Sequence, residues 1–196
     1  AGATAGVDTS DVSITSKSNV ETVSVSGGTT SDVAAVAITD SGAYSAVTRV
    51  SADSLKNVTL TGTASAAINS DALTSLTLQN SGPVTVTSNV ARALDVIAAA
   101  STTTGSVTDN TASSITFAST GTLANFSLSG AKATSIDITA GGTVTTGVLT
   151  APLATALNIS GEKVVTLTGT VDLAAAATTK VTVSGSAGLK AVGGLE

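Results

Sequence analysis

A six-residue shape returns at a fixed interval through the middle of the chain, and this recurrence limits the fold more than any other property. Apolar residues fill its first, fourth and sixth positions and a polar residue its fifth. The copies are Ala112-Ser113-Ser114-Ile115-Thr116-Phe117, then Ala133 to Ile138 (ATSIDI), then Ala154 to Ile159 (ATALNI), with one constant step between them. A second series runs in the same phase between them: Leu123 to Leu128 (LANFSL), Val144 to Leu149 and Val165 to Leu167. Two interleaved series with one period of about 21 residues predict a coil of two strands and two turns, repeated along an axis.

The same shape extends outward in both directions. Val33 to Ile38 (VAAVAI), Leu55 to Leu60 (LKNVTL), Leu73 to Leu78 (LTSLTL) and Ala91 to Val96 (ARALDV) are earlier copies. The last three of these are closer together, at about 18 residues per step. Thr178 to Val183 is a final copy after a longer gap of about 24 residues. Alternating segments at Val12 to Ile14, Val20 to Val25, Tyr44 to Val50 and Pro83 to Thr87 read as further strands. Aligned copy on copy, the fifth positions form one outward column: Thr59, Thr77, Asp95, Thr116, Asp137 and Asn158. Three stretches fit less well. Ser101 to Thr111 reads as a loop or a weak internal boundary, Val171 to Ala177 as a helical turn or a wider coil, and the Gly-rich tail from Ser184 as frayed.

The fold class expected is therefore all-β, a parallel β-solenoid with two-strand coils of about 18–21 residues. The chain is expected to form a single domain over residues 1–196, a fragment or processed form of a longer protein, since it begins without Met. Eight or nine coils at about 4.8 Å each would make a rod on the order of 40 Å long. A two-sheet β-sandwich is the alternative, because frequent turns also describe that class; the in-phase recurrence favours the solenoid.

Composition agrees and removes several functions. Thr and Ser make up about a third of the 196 residues, only 2% are aromatic, and Cys, His, Met and Trp are all absent. No disulfide framework, zinc-finger spacing, cysteine nucleophile or Ser-His-Asp triad can be built from this chain alone. The mean hydropathy of +0.44 with regular Val, Ile and Leu spacing argues for order despite the Ser, Thr and Gly content. A net charge of −5 without basic patches disfavours nucleic-acid binding. No apolar run approaches a membrane span, and the start shows no signal-peptide pattern.

The bias to Thr, Ser, Ala, Val and Gly, the lack of Cys and the short two-strand coils resemble the β-rich segments of bacterial surface-layer proteins and of related type I-secreted repeats-in-toxin (RTX) proteins. That resemblance implies a cell-surface, extracellular location, calcium-dependent folding and self-assembly into lattices. The calcium motif of the group, Gly-Gly-x-Gly-x-Asp-x-apolar-x, has one degenerate match at Gly27 to Ala35, with Thr30 in place of the third glycine and Asp32 at the acidic position. Oxygen-rich clusters also occur at Asp8-Thr9-Ser10-Asp11 and Asp40-Ser41-Gly42. Asp8, Asp11, Asp32 and Asp40 are accordingly the candidate calcium ligands, against the plainer reading of each as a turn-capping carboxylate.

Three classes of function compete. A structural surface module, associating with itself or with other domains of the same protein, needs no catalytic equipment, and a passenger or spacer segment of a large adhesin has the same needs. A carbohydrate-active enzyme on a β-helix would need converging charged groups; Asp95 and Asp137 share the outward column but are separated by the coil bearing Thr116, and Arg92 is expected near Asp95. Ice binding would need a flat, uniform Thr column, which Asp95, Asp137 and Asn158 interrupt. The expectation is a non-enzymatic module.

Overall fold

Strict alternation of apolar and polar residues makes each short segment a strand with one wet and one dry face, and consecutive strands go to opposite sides of the molecule. The computed structural model describes residues 12–16, 22–24, 35–40, 47–51, 55–62, 65–99, 105–174 and 179–192. Odd-numbered strands build a nine-stranded sheet: β1 (Val12–Ser16), β3 (Ala35–Asp40), β5 (Asn57–Thr61), β7 (Ser75–Gln79), β9 (Arg92–Ala98), β11 (Ala112–Ser119), β13 (Ser135–Ala140) and β15 (Ala156–Gly161), closed by β18 (Lys180–Val183). The facing sheet carries β2 (Thr22–Ser24), β4 (Val47–Ser51), β6 (Ser65–Asn69), β8 (Val84–Thr87), β10 (Gly105–Asp109), β12 (Leu123–Ser129), β14 (Val144–Thr150), β16 (Val165–Leu167) and β19 (Leu189–Ala191) in order; β17 (Val171–Asp172) also pairs with β14.

Every pairing is parallel. All described secondary structure is strand, and the chain is a parallel β-solenoid. A sandwich built from hairpins would be antiparallel, so that alternative is set aside.

Register shows how the core stacks. In the odd-numbered sheet Val58, Leu76, Val96, Phe117, Ile138 and Ile159 lie level in successive strands. In the facing sheet Ala66, Val84, Val107, Leu128, Leu149 and Val171 do the same. All of these are buried, so the interior is one apolar column from coil to coil. The burial of each Val, Leu or Ile contributes about 1.5–3 kcal/mol.

Two Phe residues fill the interior: Phe117 and Phe126 stack across it with ring centroids 4.8 Å apart and planes at 28°. Room for the Phe126 ring comes from Gly105, level with it in the next strand, where a Cβ would lie 3.0 Å from Phe126 Cε2. Asn125, at φ 58°, sits where the β12–β14 register slips, a bulge that a short polar side chain tolerates in the left-handed region.

Four features differ from the sequence expectations. The six-residue copies do not all align, because Leu76 lies level with Val96 rather than Leu94. The outward column therefore breaks: Thr59 and Thr77 are level, but Thr77 faces Ile97, while Asp95, Thr116, Asp137 and Asn158 form a separate column two residues over. Coil length also ranges more widely. Val58 is level with Leu76, Ile159 with Val183 and Val23 with Val50, so the step grows by about half from the tightest coil to the widest. Within Ser101 to Thr111, residues 105–109 are β10, paired on both sides to β8 and β12. Beyond Ser184, the tail supplies β19, paired to β16, and the start of Val171 to Ala177 supplies β17.

Candidate functional site

Only one of the four carboxylates picked out for calcium falls within the described residues. Asp40 is the last residue of β3, level with Ser16 of β1, and Ser41 and Gly42 after it lie outside the described residues. Asp8, Asp11 and Asp32, with most of the degenerate glycine motif, lie outside the described residues. Among the described residues no group of three or more His, Cys, Asp or Glu could hold a metal ion.

The outward column offers little chemistry. Asp137 accepts a 2.6 Å hydrogen bond from the Asn158 amide on the next coil, and Asp95 lies two strands away, across Thr116. Two strand spacings are about 10 Å, which leaves the carboxylates independent of one another. The ladder continues in hydroxyls, with Thr139 and Ser160 in contact at 3.1 Å and the Thr61 hydroxyl donating to Gln79 Oε1 at 3.0 Å.

Arg92 does not pair with Asp95. It turns into the corner between the sheets and meets Asp109, the last residue of β10, with Nη2 2.7 Å from Oδ2. Asp109 is fully buried, and the Arg92 side chain is only 8% exposed. The other carboxylate oxygen receives the Thr111 N–H at 3.0 Å, the Thr111 hydroxyl at 2.8 Å and the Ala112 N–H at 3.0 Å. Arg92 also donates through Nε to the Leu73 carbonyl at 2.5 Å.

This corner joins three successive coils, through Leu73, Arg92 and Asp109. A carboxylate holding four donors has no free lone pair aimed at solvent, so its geometry is that of a structural pin rather than of a proton-transfer group. Sequence reading passed over Asp109 because it lies in the least patterned stretch. The local signal was Asp109-Asn110-Thr111, a carboxylate two residues before a hydroxyl, the signature of a side chain capping its own turn.

Serine and aspartate act in related ways at other corners. Ser70 Oγ donates to the Leu55 carbonyl at 2.7 Å and Ser81 Oγ to the Leu60 carbonyl at 3.0 Å, each reaching back one coil. Asp71 is half-buried and caps the next coil, accepting the Asn89 N–H at 2.6 Å and the Ser88 hydroxyl at 3.1 Å. The Asn89 N–H above all holds its carboxyl below the ordinary value of 3.8; desolvation, the next largest influence, pushes upward, and the Ser88 hydroxyl, the Asn89 side chain and the Arg92 charge add to the lowering. Among the described residues Thr146 is the exception to this satisfaction: its hydroxyl is buried without a hydrogen-bond partner, level with Phe126 and Leu167.

No helix among the described residues is long and apolar enough to cross a membrane. No protein family, curated protein or solved structure matches the chain.

Proposed function

We propose that this β-solenoid is a non-enzymatic structural module of a bacterial surface-layer protein, located outside the cell, that associates with itself or with other domains of the same protein. One observation carries the reading. Among the described residues the inward positions are filled mainly by apolar side chains, and the buried Arg92–Asp109 pair is consumed in holding coils together. Such a rod offers other molecules its outward faces, on which Val90, Val148, Leu153 and Val164 stand exposed among polar residues. The Thr, Ser, Ala, Val and Gly bias and the absence of Cys support the surface-layer assignment through the resemblance. Calcium enters the proposal through Asp8, Asp11, Asp32 and Asp40, whose concentration near the start of the chain would place the ions toward one end of the rod.

Far-UV circular dichroism and sedimentation velocity on the purified chain, first in chelator and then in millimolar calcium, test this. Calcium-induced β structure or assembly is the expected result. A β-rich monomer in both conditions would sink the assembling module and leave a passive spacer, as in a large secreted adhesin.

A further inference from the structure

The coils before and after β9 differ in length, and the change of step falls on that strand. Contacts between successive coils join residues 18 apart at Lys56–Thr74 and Asp71–Asn89, but 21 apart at Ser113–Thr134, Ser127–Val148 and Asp137–Asn158. On β7, the levels are Ser75 with Asp95, Leu76 with Val96, Thr77 with Ile97 and Leu78 with Ala98. On its other side, the pairing of β9 with β11 is irregular between Ala112 and Ser114.

Sliding β9 by two residues along β7 gives a second arrangement with the same faces. Side chains alternate with a period of two, so this slip keeps every inward residue inward. Leu76 would meet Leu94, Leu78 would meet Val96 and Thr77 would meet Asp95, which matches LTSLTL to ARALDV at the 18-residue step of the preceding coils. Against β11, Leu94 would take the level of Phe117 that Val96 now holds. Apolar packing does not favour the observed register, since it sets Val96 and Ala98 where the slip would set Leu94 and Val96. The turn before β9 carries the difference. Ser75 follows Asn69 by six residues, whereas its level partner Asp95 follows Thr87 by eight. Asn89, Val90 and Ala91 stand exposed in that longer turn, Val90 at 50%.

At the corner of this coil two charged side chains take places that neighbouring coils fill with apolar ones. Asp109 continues the inward row of Ile68 and Val86, and Arg92 lies level with the buried Ala112. Arg92 Nη2 meets Asp109 at 2.7 Å and Nε donates to the Leu73 carbonyl at 2.5 Å. A two-residue slip would carry Arg92 about 6.6 Å along the strand and break both contacts. An apolar residue in its place would lose neither. Buried ion pairs add little stability over apolar replacements, and their best attested use is to fix register.

We infer that the Arg92–Asp109 pair is a register key: it holds β9 two residues out of step with the 18-residue coils, and without it β9 slides into their phase. One coil thus has two registers, and the pair selects between them. In the slipped register Asp95 joins the outward row of Thr59 and Thr77, which the observed register breaks at Ile97.

The test uses the full chain, which has no native Cys. Two cysteine pairs on the outward face report the two registers, T77C/I97C the observed one and T77C/D95C the slipped one. Level partners lie about 4.8 Å apart and can form a disulfide, whereas partners two residues off level lie about 8 Å apart and cannot. Each pair is oxidised in the parent and in R92M/D109L, which removes both charges together, with circular dichroism confirming β structure. The expected result is crosslinking through T77C/I97C in the parent and a shift of at least about tenfold toward T77C/D95C in R92M/D109L. Should R92M/D109L lack β structure, R92K takes its place, since lysine keeps the charge but lacks the fork that reaches Leu73 and Asp109 together. Crosslinking through T77C/I97C alone in the folded variant would overturn the key and leave the register to the apolar columns. Equal crosslinking through both pairs in the parent would overturn it as well, because the ion pair would then select nothing.

Discussion

Asp109 and Arg92 form one ion pair but are not equivalent in what their removal leaves behind. Asp109→Ala strands the Arg92 guanidinium in a corner where it is 8% exposed and also releases the Thr111 and Ala112 N–H groups. Loss of one partner from a buried pair costs about 3–5 kcal/mol. Arg92→Met leaves a carboxylate that still accepts three hydrogen bonds from its own turn, so its cost should be about half as large. Urea unfolding of both variants checks the order, and an equal loss would mean that the turn, not the pair, carries the energy. At Thr146 the sign reverses. Thr146→Val keeps the shape and removes a buried hydroxyl without a partner, which should stabilise by about 1 kcal/mol in the same assay. Asp71 sets a pH dependence. Because its folded pKa lies below the unfolded value near 3.8, its contribution is complete above that value and is lost as pH falls through the folded pKa. Asp71→Asn should thus be less stable than the parent at pH 7 and decline less steeply below about pH 4; parallel acid curves would remove the carboxylate from the account.

Strands β10 and β12 show why an element here cannot be judged from its own sequence. Gly105 opens β10 with no side chain, and the space beside it is taken by the Phe126 ring, itself stacked on Phe117 across the interior. Gly105→Val would force that ring off its partner, at about 1–3 kcal/mol, whereas Gly105→Val combined with Phe126→Leu should recover most of the loss in thermal unfolding; failure of the pair to compensate would show that β10 needs glycine for another reason. The same coupling explains which elements the sequence revealed. Alternation with Val, Ile and Leu made the six-residue copies legible, and β7, β9, β11, β13 and β15 all fall on them. β10 escaped because Gly105-Ser106-Val107-Thr108 carries one large apolar residue, its other inward place being filled from the neighbouring coil. β19 escaped because Leu189 sits among Gly, Ala and Lys in a tail that reads as loose. The slip between β7 and β9 escaped for a different reason. Copying Leu73 onto Ala91 looks natural, yet Leu73 is buried and Ala91 exposed, and Arg92 reaches from this displaced turn to the Leu73 carbonyl and Asp109. Contacts made once, at spacings the repeat does not share, leave no periodic trace. Of the candidate site, only the capping signature Asp109-Asn110-Thr111 was legible locally; the reach of Arg92 to Asp109 and of Asp71 to Asn89 comes from neighbouring coils and leaves no local trace.

A molecule whose long-range pairings are all between neighbouring coils should accept the loss of one coil if phase is kept. From β11 to β15 the phase is constant: Thr116 is level with Asp137 and Asp137 with Asn158, and Val107, Leu128 and Leu149 are level in the facing sheet. Removing residues 116–136 joins Ile115 to Asp137, deletes Phe117 and Phe126 together, and leaves β10 opposite β14 with Val107 level with Leu149. Every inward residue stays inward. Removing 116–135 instead joins Ile115 to Ile136, and this one-residue change exchanges the wet and dry faces of all that follows in the strand. The longer, in-phase deletion should therefore remain β-rich and unfold cooperatively, with a rod shorter by about 4.8 Å in small-angle scattering. The shorter deletion should lose cooperativity or aggregate through exposed Ile and Leu. Equal tolerance of both deletions would mean that the coils are not held in phase by their apolar columns.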